Sequence, residues 1–262
     1  MDWIPVKDYD EMIRQAARRM HDVISGELSR KGQAVIGLAT GNTMLGVYST
    51  LADMLNKSDL DLSGLLTFNL DEYVDNSGGN VPAEHPLSYR KYMTENFFAK
   101  VDPRRGFRLE NMRFPDPANP AAYDTRIRDA GGLDFQLLGI GFNGHIAFNE
   151  PIQAGDISAE DYAALPSRVI HLTDLTIRTN ADLTAGGDLT LVPHRAVTMG
   201  MKPILQAREI MLLACFKEQA VPLAKIKAGA ITPEIPASFL LAHPRARIIY
   251  TTDTITLTEK KH

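Results

Sequence analysis

Short apolar runs alternate with amphipathic stretches along most of the 262-residue chain. Ile13, Ala16, Ala17, Met20 and Ile24 recur at helical spacing and give an opening helix one apolar face. AVIGLAT (34–40) is almost continuously apolar over a strand's length; it stops at Gly41-Asn42-Thr43 and gives way to a helical MLGVYSTLADML. LLTFNL (65–70) predicts a second strand ending at Asp71-Glu72-Tyr73, and Tyr89, Met93 and Phe97 line a helix that begins after Pro86. A polar helix near 121–130 closes at Gly131-Gly132. LDFQLLGIG (133–141) predicts a third strand, followed at once by FNGHIAFNEP. The second half continues with strand-like SRVIHL, AVTMG and REIMLLAC, a helical stretch around 218–228, and RARIIYTT.

Strands apolar on both faces and separated by helices predict a doubly wound α/β fold. The expectation is a mainly parallel, modified Rossmann-like sheet with helices on both faces, in one domain over 1–262. The segment 152–166, with Gly, Asp and Ser and little periodicity, reads equally as a mobile flap or as an inert surface loop. Counted with the helix that follows, the flap would cover 152–185.

Composition changes this picture only by exclusion. The chain is 44% hydrophobic and 23% charged, and its 28 basic and 32 acidic side chains leave a net charge of −4. Lys and Arg are scattered, which argues against a nucleic-acid partner. The single cysteine, Cys215, excludes an internal disulfide and two-cysteine metal motifs. No apolar run approaches the roughly eighteen residues needed to span a bilayer, and the charged MDWIPVKDYDEM start lacks a signal peptide's apolar stretch. The expectation is a soluble protein of a reducing cytoplasm with no membrane partner.

Chemistry is sought beyond the carboxyl ends of the strands, where open α/β sheets bind ligands. Thr40-Gly41-Asn42-Thr43 offers backbone N–H groups and two hydroxyls at a helix start, an anion cradle or simply a tight turn with Thr43 as helix cap. It lacks the Gly-Lys-Thr of a nucleotide loop and the spacing of a dinucleotide fingerprint. Asp71-Glu72 directly after an apolar strand places a carboxylate within reach of a ligand and partly shielded from water, as a base requires; the alternative, a cap on the following turn, falls to Glu72 or Asp75, and strand phase does not tell which carboxylate faces inward. In GFNGHIAFNE (141–150), strand alternation would point His145 and Glu150 to opposite sides, so only a turn brings them together. If they meet, Glu150 orients the imidazole and raises its basicity. No second His or Cys lies at metal-ligand spacing, so no metal is expected.

These stretches resemble the glucosamine-6-phosphate deaminase (isomerising) family, within the phosphogluconolactonase-like superfamily. The likeness is carried by LATGNT (38–43), TFNLDEYV (67–74), EHPLSY (84–89), LLGIGFNGHIAFNEP (137–151) and AVTMG (196–200); the segments GMKPILQAREIMLL and IPASFLLAHP look closest to the family's galactosamine-6-phosphate branch. The resemblance implies conversion of a 2-amino-2-deoxyhexose 6-phosphate to a ketohexose 6-phosphate and ammonia, with no cofactor. It implies Asp71 as the base that moves a proton between C2 and C1, His145 as the group that opens the pyranose ring, and Glu150 as its support. Asn143 stands where many members have aspartate, so it brings no negative charge to His145. Thr40, Gly41, Asn42 and Thr43 would bind the phosphate, with Glu72 and Gly144 in the substrate-contacting set.

Two positions depart from the family. Its phosphate-binding arginine and lysine correspond to Asp182 and Gln219 here; Arg178, one turn earlier, or Lys217, two residues earlier, could substitute, or could be plain surface charge. An aspartate facing a phosphate would be repulsive. Family members are often homo-oligomers, and apolar helix surface would serve that purpose here. Two rival readings remain on the same scaffold: a lactonase-type hydrolase using His145 on water, and a catalytically weak sugar-phosphate sensor.

Overall fold

In the computed structural model of the chain, which describes residues 1–257, an edge strand β1 (Asp2–Val6) leads into α1 (Tyr9–Lys31). Asp8 caps α1 by accepting from the Glu11 N–H at 2.9 Å, and Gly32, at φ 70°, ends it in left-handed backbone. The expected apolar face of α1 is buried, and each large aliphatic side chain so buried contributes about 1.5–3 kcal/mol. There follow β2 (Ala34–Leu38), α2 (Leu45–Lys57), β3 (Leu65–Asn69) and a short β4 (Asp71–Val74). Next come α3 (Tyr89–Asn96), β5 (Met112–Arg113), α4 (Pro120–Asp129) and β6 (Phe135–Leu138). The second half runs α5 (Ala159–Ala163), β7 (Arg168–His171), α6 (Asp174–Thr184), β8 (Arg195–Thr198) and α7 (Met201–Leu205). It ends with β9 (Ile210–Ala214), α8 (Ala220–Lys227) and β10 (Ala246–Thr251).

Seven strands form a parallel sheet in the order β1-β10-β9-β6-β2-β3-β5. Every residue of β2, β6 and β9 is buried, as a sheet covered on both faces requires. From β2 the strands step outward to β3 and β5; from β6 they step the other way, to β9 and β10. The order therefore reverses between β2 and β6, and beyond their carboxyl ends a crevice opens.

The expected parallel sheet holds for these strands and fails for SRVIHL and AVTMG. As β7 and β8 they pair antiparallel with each other, and β8 pairs antiparallel with β4, in a separate three-stranded sheet in the order β4-β8-β7. Along β7, Arg168 and Ile170 are half-buried while Val169 and His171 are exposed, the alternation of a sheet open on one face. β1 escapes the pattern because Asp2 and Pro5 interrupt its apolar run, which an edge strand tolerates.

The chain changes sheets at Leu70. Its N–H donates to Leu38 O at 3.0 Å in the main sheet, and its carbonyl accepts from Met199 N–H at 2.6 Å beside the small one. Asp71, the first residue of β4, follows that step directly. A second, smaller apolar cluster, including Tyr73 and Phe148, packs against the small sheet. Among the described residues, no helix is long and apolar enough to cross a membrane.

Candidate active site

A cavity of about 220 Å³ occupies the crevice. Its walls are the loop 39–44 after β2, the loop after β6 from Gly139 to Phe148, Leu70-Asp71, the aromatic rings of Tyr89 and Tyr92, and one face of α6.

Asp71 and Glu72 diverge because successive strand residues face opposite sides. Asp71 lines the cavity and is 6% exposed. No hydrogen bond from the described residues reaches its carboxylate, and burial, with the negative charge of Glu72 beside it, pushes its carboxyl well above the usual range. Glu72 corrects the expectation of a substrate contact: it turns away from the cavity and caps α3. Its carboxylate accepts from the Tyr89 N–H and Arg90 N–H at 2.9 Å each, from the Tyr73 N–H at 2.9 Å, and from the Ser88 hydroxyl at 3.1 Å. An acidic side chain at a helix start also meets the positive end of its dipole.

The His145 loop is built as a turn. Asn149 N–H donates to Ile146 O at 3.1 Å, and its buried side-chain amide donates to Ile146 O and Met199 O at 3.1 and 2.9 Å. Ala147 sits at φ 51°, left-handed backbone that a non-glycine residue adopts only at a cost. This reversal brings Glu150 back to His145: Nδ1 lies 3.5 Å from Glu150 Oε2. Gly141 is required by close approach, since a Cβ there would stand 2.2 Å from the imidazole. Gly144, at φ 92°, makes the turn, but does not line the cavity; it lies against Ile235 and Pro222.

Glu150 is held from several sides. Asn143 Nδ2 donates to Oε2 at 2.8 Å, and the Thr176 hydroxyl of α6 donates to Oε1 at 2.5 Å. Burial raises the Glu150 carboxyl, but His145, Thr176 and Asn143 outweigh it and hold the group down at about 2. Asn143 also accepts the His145 N–H at 3.1 Å through its carbonyl oxygen. An aspartate at 143 could not donate to Glu150; the amide serves both neighbours.

Thr40, Gly41, Asn42 and Thr43 all line the cavity. Gly41, at φ 118°, opens the turn, and Tyr92 and Tyr9 hydroxyls donate to the carbonyls of Gly41 and Thr43 at 2.7 and 3.1 Å. Arg178 and Lys217 do not line it. Arg178 is on the exposed side of α6, and the Lys217 side chain is 82% exposed, 3.9 Å from Glu218. Their expected place against a ligand is corrected: helix phase turns Arg178 outward, since the cavity side of α6 is Leu175, Thr176, Thr179, Asn180, Leu183 and Thr184, and Lys217 projects into solvent from the 217–219 turn, where Gln219 takes the wall position. Asp182 is exposed and also faces away. Gln219 does reach the wall, with its carboxamide bonded to Ile140 O and to the N–H groups of Cys215 and Phe216 at 2.8–2.9 Å. Within 152–185 it is α6 that walls the cavity; the 152–166 part packs beside it, with Tyr162 buried and its hydroxyl donating to Glu150 O at 2.8 Å.

Thr176, Asn180 and Tyr73 escape the sequence reading. Asn180 Nδ2 donates to the Tyr73 hydroxyl at 2.7 Å and joins α6 to β4. The signal was the polar stripe Thr176, Thr179, Asn180, Thr184 at helical spacing, on a helix otherwise read only as flap. Among the described residues no group of three or more His, Cys, Asp or Glu side chains is arranged to hold a metal.

Comparison with known proteins gives this geometry its relatives. The family model "Glucosamine-6-phosphate isomerases/6-phosphogluconolactonase" matches residues 7–151. A glucosamine-6-phosphate deaminase of Halothermothrix orenii is 37% identical over 93% of this chain and 94% of its own length. The solved structure of a monomeric glucosamine-6-phosphate deaminase superposes with a TM-score of 0.82 at 31% identity, over 97% of this chain and 98% of that one. A 6-phosphogluconolactonase from Trypanosoma cruzi, at a TM-score of 0.70 and 20% identity over 96% and 94% of the two chains, shares the fold. With matches spanning both the sequence and the sheet that builds the crevice, the chain belongs to the glucosamine-6-phosphate isomerase/6-phosphogluconolactonase family.

Proposed function

We propose that this cavity performs the isomerising deamination of a 2-amino-2-deoxyhexose 6-phosphate, of gluco or galacto configuration, to a ketohexose 6-phosphate and ammonia. The observation that carries the reading is the Asp71 carboxyl, buried in the wall yet free of hydrogen bonds from the described residues, sharing one cavity with a histidine backed by a carboxylate. The names of the full-length relatives support the same reaction.

With Nδ1 turned to Glu150, His145 keeps Nε2 for the ligand. Nε2 takes the proton of the C1 hydroxyl and delivers it to the ring oxygen, and the pyranose opens to an aldehyde. Ionised Asp71 then takes the C2 proton, and the electron pair forms a C1–C2 double bond while the C1 oxygen takes a proton from the substrate's own 2-ammonium group. Asp71 returns a proton to C1, leaving an iminium at C2. Water adds to that carbon, ammonia leaves, and the ketone remains. A carboxylate whose conjugate acid is weaker than usual is a better base toward carbon, and fixed positioning supplies about 7–11 kcal/mol of such a barrier.

Glucosamine 6-phosphate and galactosamine 6-phosphate, mixed with the purified protein in deuterium oxide, should release ammonia and ketose phosphate labelled at C1. A folded protein that releases no ammonia from either overturns the reading. Hydrolysis of a 6-phosphogluconolactone without any such turnover would make it a lactonase instead, and tight binding without conversion a sensor.

A further inference from the structure

On the reading above, C1 and C2 of the sugar lie at Asp71 and His145, and its C6 end must run along the rest of the wall. That wall carries no lysine or arginine among the described residues. Where loop 40–43, the last turn of α6 and the Cys215–Gln219 turn meet, the groups are neutral. Asn42 Nδ2 is drawn to Leu183 O at 3.3 Å, and Thr43 Oγ1 lies 3.6 Å from Cys215 Sγ. Burial pushes the Cys215 thiol up, so it carries no charge at neutral pH. Gln219 is 3% exposed and spends both ends of its carboxamide on the two loops. The helix start offers dipoles, but Met44 N–H is already given to Gly41 O at 2.9 Å. Hydroxyls and amides replace the hydration of a sugar hydroxyl well, and that of a phosphate dianion only in part.

We infer that the free 2-amino-2-deoxyhexose, with an uncharged hydroxyl at C6, is a substrate of this site in its own right, and that a 6-phosphate adds little to recognition. This rests on Asp71 and His145 being the reacting pair. Gln219 is then the specificity-determining residue: its neutral carboxamide stands where a cation would reward the ester.

The test compares kcat/KM for glucosamine and galactosamine with that for their 6-phosphates, by ammonia release. The free sugar should reach at least about one-tenth of the ester's value; a preference for the ester beyond about tenfold overturns the inference. Gln219→Lys should shift the ratio toward the ester by about tenfold or more. Because that change also breaks the loop clamp, Leu183→Arg, at a wall position that is 43% exposed, provides a second test with no buried group lost. It should move the ratio the same way by about tenfold, and an unchanged ratio in a folded Leu183→Arg protein counts against the inference. If none of the sugars is turned over, the deaminase reading fails separately, and calorimetric dissociation constants on the wild-type protein decide this one. Free sugar within about tenfold of its ester supports it; a larger gap, or no binding of either, overturns it.

Discussion

Asp71 and Glu150 are both largely buried beside one cavity, yet their surroundings drive them apart. Glu150 sits at the closed side of the His145 loop, with Asn143, Thr176 and the imidazole all turned to it, and these partners hold it down at about 2 despite burial. Asp71 stands at the start of β4 with no hydrogen-bond donor from the described residues, and burial with Glu72 behind it raises its carboxyl. One is a fixed anion, the other a group free to gain and lose a proton. Environments that split two carboxylates in this way assign them their roles: support for the first, proton transfer for the second.

The largest test of that contrast is Asp71→Asn. Ammonia release should fall by about 10²- to 10⁴-fold or more. Stability should move the other way: ionising Asp71 costs the folded state, so the neutral amide should raise the unfolding free energy at neutral pH by about 1 kcal/mol, measured by denaturant titration. The gain should vanish in acid, where the wild-type carboxyl is protonated. A parallel loss of fold and activity would mean that Asp71 is structural. The wild-type acid limb of kcat/KM should also lie above the ordinary aspartate value of 3.8, because the base works only when ionised and its folded value is raised.

Glu150→Gln should have the opposite signature. Its folded value is depressed, so its contribution to stability is present above the ordinary 4.5 and is lost as pH falls toward about 2. At neutral pH the variant should lose about 2–3 kcal/mol, with activity down about 10- to 100-fold as the imidazole loses its orienting partner. An unchanged acid-unfolding midpoint would break the comparison.

Thr176→Val sharpens it with a smaller change. Removing the hydroxyl donor at Oε1 should cost about 1–2 kcal/mol and raise the Glu150 carboxyl, shifting acid unfolding to higher pH. Activity should fall less than in Glu150→Gln, because Asn143 still holds Oε2.

The apolar runs of β2, β6 and β9 and the glycine turns after β2 and β6 were legible in the chain because a strand buried on both faces leaves a composition that solvent-facing strands do not. The meeting of His145 with Glu150 was legible as a condition, a turn, and Asn149 with Ala147 supplies that turn. Which of Asp71 and Glu72 faces the ligand was not legible. Strand phase is set only where the chain leaves one sheet for another at Leu70, through hydrogen bonds to Leu38 and Met199 that are distant in sequence. Arg178 and Lys217 fall outside the cavity for a similar reason: a cation's spacing from a motif says nothing of the face it occupies once α6, for Arg178, or the 217–219 turn, for Lys217, has docked.

The order of residues by itself determined which segments must be buried and which side chains could carry proton chemistry, since both follow from local polarity and identity. Tertiary structure alone decided the sheet each strand joined, the charge state favoured by each carboxyl, and the absence of Lys and Arg, among the described residues, from the cavity wall. Those depend on groups brought together from far along the chain, where desolvation and the count of nearby donors, rather than residue type, set the energy.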